Sequence, residues 1–266
     1  MVDVKVGIAL SGGGARGFAH IGVLKALQEN GIPVDVIAGT SAGSFAGGAF
    51  AAGLEPDEIV SVGNKIRWTD IAAFSYSRRG ILTNLPLGEF VKSNFPTVRL
   101  EQLRIRFAAC ACDLETGEEV IFRESGDLSI AIRASCAIPG IFVPVDSNGR
   151  QLIDGGVITP MPTRIVREMG AGFVIAVDLI ACGSTYWGTP RNLLGTFFQS
   201  AMMLLRSASR FQHFHADVVV EPQLSHVRPD ELDKREEMIE IGYRAALDKI
   251  GIIREKLESA TFRQKF

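Results

Sequence analysis

A chain of 266 residues, 47% hydrophobic and 22% charged, has an ordinary globular composition and buries a large core. Its net charge of −2 and isoelectric point near 6.1 provide no basic surface for nucleic acid, which excludes a nucleic-acid partner. The N-terminal residues lead directly into a predicted strand, and the most apolar stretch is too short to span a bilayer. We therefore expect a cytoplasmic protein, and contact with the inner membrane face stays open.

The first 65 residues alternate strands and helices. Apolar runs predict strands over 5–10 and 34–38, and helices follow them over 17–29 and 42–53, with a short helix from about Pro56. This β-α-β-α order predicts an α/β fold with a mostly parallel central sheet and helices on both faces.

Residues 66–98 are less regular, and they form either a lid over the active site or a plain surface excursion. The remaining predicted elements are a strand pair (106–114 and 119–122), a helix (128–137), a hairpin through Asn148-Gly149 (142–145 and 151–153), a helix (162–169), a strand (173–179), a helix (191–215), a strand (217–220) and a helix (230–258). No linker or repeat separates these elements, so we expect residues 1–266 to form one domain.

The predicted helix over 191–215 is strongly apolar. Its leucine, phenylalanine and methionine side chains occupy more than one narrow stripe around the helix. Such a helix is buried in the core, in a homodimer or against lipid, and burial in the core or in a dimer is favoured. A homo-oligomer and peripheral membrane contact therefore both stay open.

A G-x-S-x-G motif follows the second predicted strand. Its residues are Gly39, Thr40, Ser41, Ala42 and Gly43. In this motif a serine occupies a tight strand-to-helix turn with its hydroxyl exposed, and the flanking residues are glycines because larger side chains would clash. Ser41 is therefore the predicted nucleophile, with Gly39 and Gly43 forming its turn.

A glycine-rich loop follows the first predicted strand, at Gly12-Gly13-Gly14-Ala15-Arg16-Gly17. Its backbone N–H groups are suited to an oxyanion formed when a serine attacks an ester. The same residues fit the G-x-G-x-x-G pattern of a dinucleotide site, which also needs a carboxylate at the end of the next strand. That strand ends in Ala38-Gly39-Thr40-Ser41, so we expect no nucleotide cofactor. The two glycine motifs together indicate a serine hydrolase.

Serine is a weak nucleophile and requires a base. The usual base is histidine, and the chain has four: His20, His213, His215 and His226. All four occupy predicted helix or unpatterned loop positions. Asp154 is better placed, because it ends a predicted strand and precedes Gly155-Gly156, although an ordinary Asp-Gly turn explains the same residues. Asp113 and Asp178 also end strands, but no glycine pair follows either one.

The four cysteines are Cys110, Cys112, Cys136 and Cys182. Cys110 and Cys112 point to one face of a predicted strand, as a metal-binding pair would. No further ligand is adjacent in the sequence, so we expect buried free thiols and no metal.

Four blocks, in this order, resemble the patatin-like phospholipases, particularly their short bacterial members. They are the glycine loop at 12–17, the motif at 39–43, Ala134-Ser135-Cys136-Ala137-Ile138-Pro139 and Asp154-Gly155-Gly156. The resemblance covers most of residues 5–180 and implies a patatin-like fold of three layers. The helices over 191–215 and 230–258 carry no motif that maps onto the family.

The resemblance implies a Ser–Asp dyad, with Ser41 as nucleophile and Asp154 as base. It also implies an oxyanion hole in the Gly12–Gly14 loop with Ala15 and Arg16 beside it, where Arg16 either binds a lipid phosphate or stiffens the loop. The implied substrate is an acyl ester of a lipid, hydrolysed through an acyl-enzyme without a metal or cofactor.

A lone carboxylate is a weak base, so Asp154 needs a partly desolvated pocket that raises its pKa. Two other functions stay open. The chain could be a regulatory or scaffold protein that keeps the fold and acts by binding, or an acyltransferase in which an alcohol replaces water.

Overall fold

The computed structural model describes residues 4–183 and 189–264. The strands are β1 (Val6–Leu10), β2 (Val36–Thr40), β3 (Ala73–Phe74), β4 (Leu82–Thr83), β5 (Arg106–Asp113), β6 (Glu119–Phe122), β7 (Val145–Ser147), β8 (Arg150–Asp154), β9 (Phe173–Val177) and β10 (Val218–Val220). The α-helices are α1 (Phe18–Glu29), α2 (Ala42–Ala51), α3 (Pro56–Lys65), α4 (Trp68–Ile71), α5 (Leu85–Asn94), α6 (Leu128–Ser135), α7 (Thr163–Glu168), α8 (Leu193–Gln212) and α9 (Arg235–Gln264).

The main sheet has the strand order β10-β9-β1-β2-β5-β8-β7, with β6 also paired to β5. The strands from β10 to β5 are parallel to their neighbours, whereas β6, β7 and β8 join in antiparallel pairs. The predicted α/β class with a mostly parallel sheet is confirmed. β3 and β4 form a separate antiparallel hairpin.

The sheet is covered by helices on both faces, as predicted. Successive side chains of a strand point to opposite faces. In β1, Ile8 and Leu10 pack into the core cluster shared with α1, α2 and α9, while Ala9 packs with the α7 residues Ile165 and Val166. The strand residues of β1 are buried throughout, which is why β1 has a continuous apolar sequence.

The segment over 66–98 is more regular than its sequence indicated. It contains α4, the β3–β4 hairpin and the ten-residue helix α5. Pro86 lies in the first turn of α5, where a backbone N–H has no helical acceptor, so the proline does not interrupt the helix.

Helix α8 is only partly covered by the rest of this chain. The outward side chains of Leu193, Phe197, Leu204 and Phe211 are each more than 70% exposed, so the core does not bury them and burial in a homodimer stays a prediction. The opposite side packs on the domain, where Leu205 lies against Gly156. Among the helices of the described residues, none is both long and apolar enough to cross a bilayer.

Candidate active site

Strand register brings Ser41 and Asp154 to the two sides of β5. In β2, Thr40 is paired with Cys110, so Ser41 follows at the level of the next residue, Ala111. On the other side of β5, Asp154 at the end of β8 is paired with the same Ala111. Two residues more than 100 positions apart in the sequence therefore meet over one strand.

Ser41 occupies a strained turn between β2 and α2. Its φ of +52° lies in the left-handed region that non-glycine residues rarely adopt, at a typical cost of about 1–3 kcal/mol. The backbone N–H of Ser41 donates a hydrogen bond of 2.8 Å to Oγ of Ser135, and its carbonyl accepts from the N–H of Ser44 at 2.8 Å. These bonds hold the turn in its strained form.

The glycines around Ser41 are required by close backbone contacts. A Cβ atom at Gly39 would lie 2.3 Å from the carbonyl oxygen of Gly43, and one at Gly43 would lie 2.2 Å from the carbonyl oxygen of Leu10. Real Cβ atoms do not approach backbone oxygens so closely. The two glycines of the motif therefore allow β1, β2 and α2 to meet at the nucleophile.

Asp154 is buried at the end of β8, and its Oδ1 accepts a hydrogen bond of 2.7 Å from the N–H of Gly156. Burial raises the pKa of this carboxyl to about 6, while the Ser41 side chain and the Gly156 N–H act in the opposite direction. A carboxylate with a raised pKa is a stronger base, which is what proton transfer from serine requires.

The Ser41 side chain lies close to the Asp154 carboxyl. Hydrogen bonding from the Ser41 hydroxyl lowers the pKa of the carboxyl, against the larger effect of burial. The arrangement thus places the two side chains within reach of each other, as proton transfer between them requires.

The glycine loop passes directly beside the nucleophile. A Cβ atom at Gly12 would lie 3.5 Å from Cβ of Ser41. The N–H groups of Gly12, Ala15 and Arg16 already donate to the carbonyls of Pro160, Pro229 and Gly13, respectively. No described residue accepts a hydrogen bond from the N–H of Gly13 or of Gly14. Of the five predicted oxyanion positions, these two therefore have amides left for a substrate.

Arg16 connects this loop to distant parts of the backbone. Its guanidinium is buried, with Nε donating to the carbonyl of Val227 at 2.8 Å and Nη1 to the carbonyl of Gly183 at 3.1 Å. A guanidinium engaged with backbone carbonyls stiffens the loop, and of the two roles left open by the sequence this is the one its contacts fit.

Ser41 lies in the wall of an apolar pocket with a volume of about 160 Å³. Its lining residues are Gly14, Ala15, Gly17, Phe18, Ile21, Ser41, Ala42, Phe45, Ala46, Gly63, Ile66, Trp68, Ile71, Leu87, Cys136, Ile138, Phe142, Pro229 and Leu232. The segment over 66–98 supplies four of these lining residues, so it forms part of the pocket wall and is not a separate surface loop. The nearly uniform apolar lining suits a hydrocarbon chain.

The block from Ala134 to Pro139 joins the two halves of the site. Ser135 accepts the hydrogen bond from the Ser41 N–H, and the carbonyl of Ala137 accepts one of 2.9 Å from the N–H of Asp154. Cys136 faces the pocket, and burial raises its thiol pKa to about 12, so it does not compete with Ser41 as a nucleophile. The roles of these three residues were missed, although the motif that contains them was recognised.

The histidines lie outside this arrangement. His20 is buried, with Nε2 2.8 Å from the carbonyl oxygen of Ser11, and burial lowers its pKa to about 4. His213 lies 2.6 Å from Oδ2 of Asp178, a buried carboxylate that also accepts from Ser209. His226 pairs with a glutamate of α9 on the surface.

The two competing aspartates have structural partners. Asp178 accepts hydrogen bonds from the backbone N–H groups of Ile180 and Ala181, at 2.8 and 3.0 Å. Asp113 accepts one of 2.9 Å from the N–H of Glu115 in the β5–β6 turn. Cys110 and Cys112 are buried free thiols in β5.

Comparison with known proteins agrees with the family resemblance of the sequence motifs. A family model described as patatin-like phospholipase matches residues 8–167. An uncharacterized NTE family protein of Mycobacterium tuberculosis is 41% identical over 178 residues, which are 66% of this chain and 49% of that protein. The lysophospholipase NTE1 of Debaryomyces hansenii is 33% identical over 197 residues, which are 71% of this chain and 12% of that protein.

Among solved structures, VipD from Legionella pneumophila superposes with a TM-score of 0.56 at 15% identity, covering 94% of this chain and 67% of that one, and so shares the fold. The chain spans about half the length of the mycobacterial relative. Its motifs, fold and family-model match together show that the chain belongs to the patatin-like phospholipase family.

Proposed function

We propose that this protein is a serine lipid acyl hydrolase that cleaves acyl esters with a Ser41–Asp154 dyad. The observation that carries the proposal is the convergence of three features at Ser41, which lines one apolar pocket. These are the strained backbone of the serine, a buried carboxylate whose pKa is raised to about 6, and two loop amides without an acceptor among the described residues.

Acylation begins with Ser41. Its hydroxyl proton passes to the Asp154 carboxylate as Oγ attacks the ester carbonyl carbon, and the carbonyl oxygen becomes an oxyanion. The N–H groups of Gly13 and Gly14 donate hydrogen bonds to that oxyanion, a type of contact typically worth about 10²–10³ in rate for each donor. Collapse of the tetrahedral intermediate breaks the C–O bond, and Asp154 returns its proton to the leaving alcohol.

Deacylation repeats these steps with water. Asp154 takes a proton from a water molecule, which attacks the acyl carbon of the Ser41 ester. A second oxyanion forms at the same amides, and the free acid departs while Oγ regains a proton from Asp154. Every proton transfer uses one carboxyl, so its pKa must lie near the working pH.

The pocket indicates which part of the substrate binds there. Phe45, Ile71 and Phe142 provide aromatic and aliphatic surface without a charged side chain in the lining. An acyl chain fits this surface, whereas a polar headgroup would lose its hydration. Phospholipids and lysophospholipids are therefore the proposed substrates, a class that also appears in the name of the related lysophospholipase NTE1.

Covalent labelling tests the proposal directly. A fluorophosphonate probe should modify Ser41, and Ser41→Ala should lose both labelling and turnover of esters. Ser129→Ala, which changes a buried serine outside the pocket lining, is the control and should keep both. Ester turnover by folded Ser41→Ala protein would refute the assignment. Adding a competing alcohol separates hydrolysis from acyl transfer, because a transferase would release an ester in place of the free acid.

A further inference from the structure

The β3–β4 hairpin exposes large apolar side chains beside the pocket. Phe74 is 68% exposed, Tyr76 is 98% exposed and Ile81 is 63% exposed. The rings of Phe74 and Tyr76 meet edge to face with centroids 5.4 Å apart. Large apolar side chains that are exposed next to one another mark an interaction surface.

The charges of the hairpin are all positive. Between Ile71 and Gly88 the sequence has no aspartate or glutamate, and its only charged residues are Arg78 and Arg79 at the hairpin tip. Both arginines are exposed, and neither forms a salt bridge with any residue that the structure describes. The tip therefore combines aromatic side chains with two cations that have no local carboxylate partner.

The hairpin is joined to the wall of the pocket. The N–H of Ile81 donates to the carbonyl of Ile141 at 3.1 Å, and the N–H of Val143 donates to the carbonyl of Leu82 at 2.8 Å. Phe142, between these two bonded residues, lines the pocket, as does Trp68 on the N-terminal side of the hairpin. A surface that holds the hairpin would therefore also hold the pocket wall.

We propose that the β3–β4 hairpin docks this protein on an anionic lipid bilayer, with Phe74 and Tyr76 in the interfacial region and Arg78 and Arg79 against the headgroups. Aromatic residues favour the membrane interface, and basic residues are attracted to anionic lipid at close range. This inference rests on the proposed function, because it explains how a lipid reaches the apolar pocket. A protein partner would be the alternative occupant, and the absence of any carboxylate in the hairpin favours the headgroup surface.

Vesicle co-sedimentation of the Ser41→Ala protein tests docking without turnover. The vesicles are phosphatidylcholine alone and phosphatidylcholine mixed with phosphatidylglycerol, and we expect stronger binding to the mixture that weakens as salt is added. Arg78→Gln with Arg79→Gln should lower the partition coefficient on the mixed vesicles by roughly 25-fold, at about fivefold for each arginine. Phe74→Ser with Tyr76→Ser should weaken binding to both vesicle types.

Matched controls come from other exposed surfaces. Arg244→Gln with Leu247→Ser on α9 removes one exposed cation and one exposed apolar group, and it should bind like the parent. Phe197→Ser with Leu204→Ser tests the outward face of α8. The docking proposal is refuted if the hairpin variants bind mixed vesicles as strongly as the Ser41→Ala protein from which they are made. It is also refuted if only the α8 variant loses binding, or if the Ser41→Ala protein binds neither type of vesicle.

Activity separates docking from chemistry. With Ser41 intact, the hairpin variants should hydrolyse a short water-soluble ester at the wild-type rate and lose hydrolysis of vesicle phospholipid in proportion to binding. Equal losses on both substrates would contradict a docking role. If the wild type hydrolyses neither substrate, the proposed function fails while the Ser41→Ala binding result still decides the docking proposal.

Discussion

Oγ of Ser135 accepts a hydrogen bond of 2.8 Å from the backbone N–H of Ser41. The donor belongs to the residue with φ of +52°, and the acceptor is the last residue of α6, 94 positions away in the sequence. A side chain thus supports the strained backbone of the proposed nucleophile, and two residues later the carbonyl of Ala137 accepts a hydrogen bond from the N–H of Asp154.

Ser135→Ala should impair both stability and catalysis. The Ser41 N–H would be left buried without an acceptor, at a cost of about 1–3 kcal/mol, and relaxation of the turn should lower kcat by roughly tenfold to a hundredfold. Thermal unfolding and steady-state kinetics measure the two effects. Ser129→Ala, in the same helix, loses a hydrogen bond to Asp127 and should cost stability with kcat unchanged. Equal kcat values for the two variants would show that the Ser135 contact is not needed for turnover.

Asp154→Asn should abolish most activity while the protein stays folded, because the amide keeps the shape of the carboxyl but is not a base. We expect kcat to fall by at least about a hundredfold. In the wild type, kcat/KM should rise through pH about 6 and level off above it, since the carboxyl must be ionised to accept the serine proton. A flat profile between pH about 5 and 8 would contradict this assignment of the base.

The same substitution should stabilise the protein at neutral and alkaline pH. Burial raises the pKa of Asp154 from 3.8 to about 6, so the folded state binds more protons than the unfolded state within that window, and wild-type stability falls as pH rises through it. A shift of this size corresponds to about 3 kcal/mol. In denaturant unfolding, the free energy of unfolding of Asp154→Asn should therefore exceed that of the wild type at pH about 8. This difference should vanish near pH 4. An identical difference at both pH values would exclude the ionisation as its cause.

Single alanine substitutions of the histidines should each keep substantial activity. The four variants are His20→Ala, His213→Ala, His215→Ala and His226→Ala. His213 is engaged with Asp178, and His20 with the carbonyl oxygen of Ser11. His20→Ala and His213→Ala should lower stability, because each removes a hydrogen bond to a buried acceptor. Kinetics on folded protein decides the point: a loss in kcat as large as that of Asp154→Asn would make the site a triad.

The sequence was sufficient for the α/β class, for the alternation of strands and helices along the first part of the chain, and for the choice of Ser41 as the candidate nucleophile. These follow from local rules, because apolar runs, the G-x-S-x-G turn and the glycine loop each depend on neighbouring residues. The sequence was insufficient for α5, since residues 66–98 showed no regular pattern and Pro86 is compatible with a helix only at its place in the first turn. It also left the covering of α8 undecided, because an apolar pattern does not reveal whether the core, a second copy of the chain or lipid covers it.

The preference for Asp154 over Asp113 and Asp178 rested on the glycine pair that follows it, since all three end predicted strands, and the resemblance then implied its role as base. Tertiary structure distinguishes them by pairing Asp154 with Ala111 beside Ser41, whereas Asp178 is bonded to Ser209 and His213. The role of Arg16 likewise depends on the carbonyls of Val227 and Gly183, which lie far away in the chain. Local sequence determines which chemical groups the chain carries, whereas their pKa values and partners arise from burial and from contacts between distant segments, which only the packed fold creates.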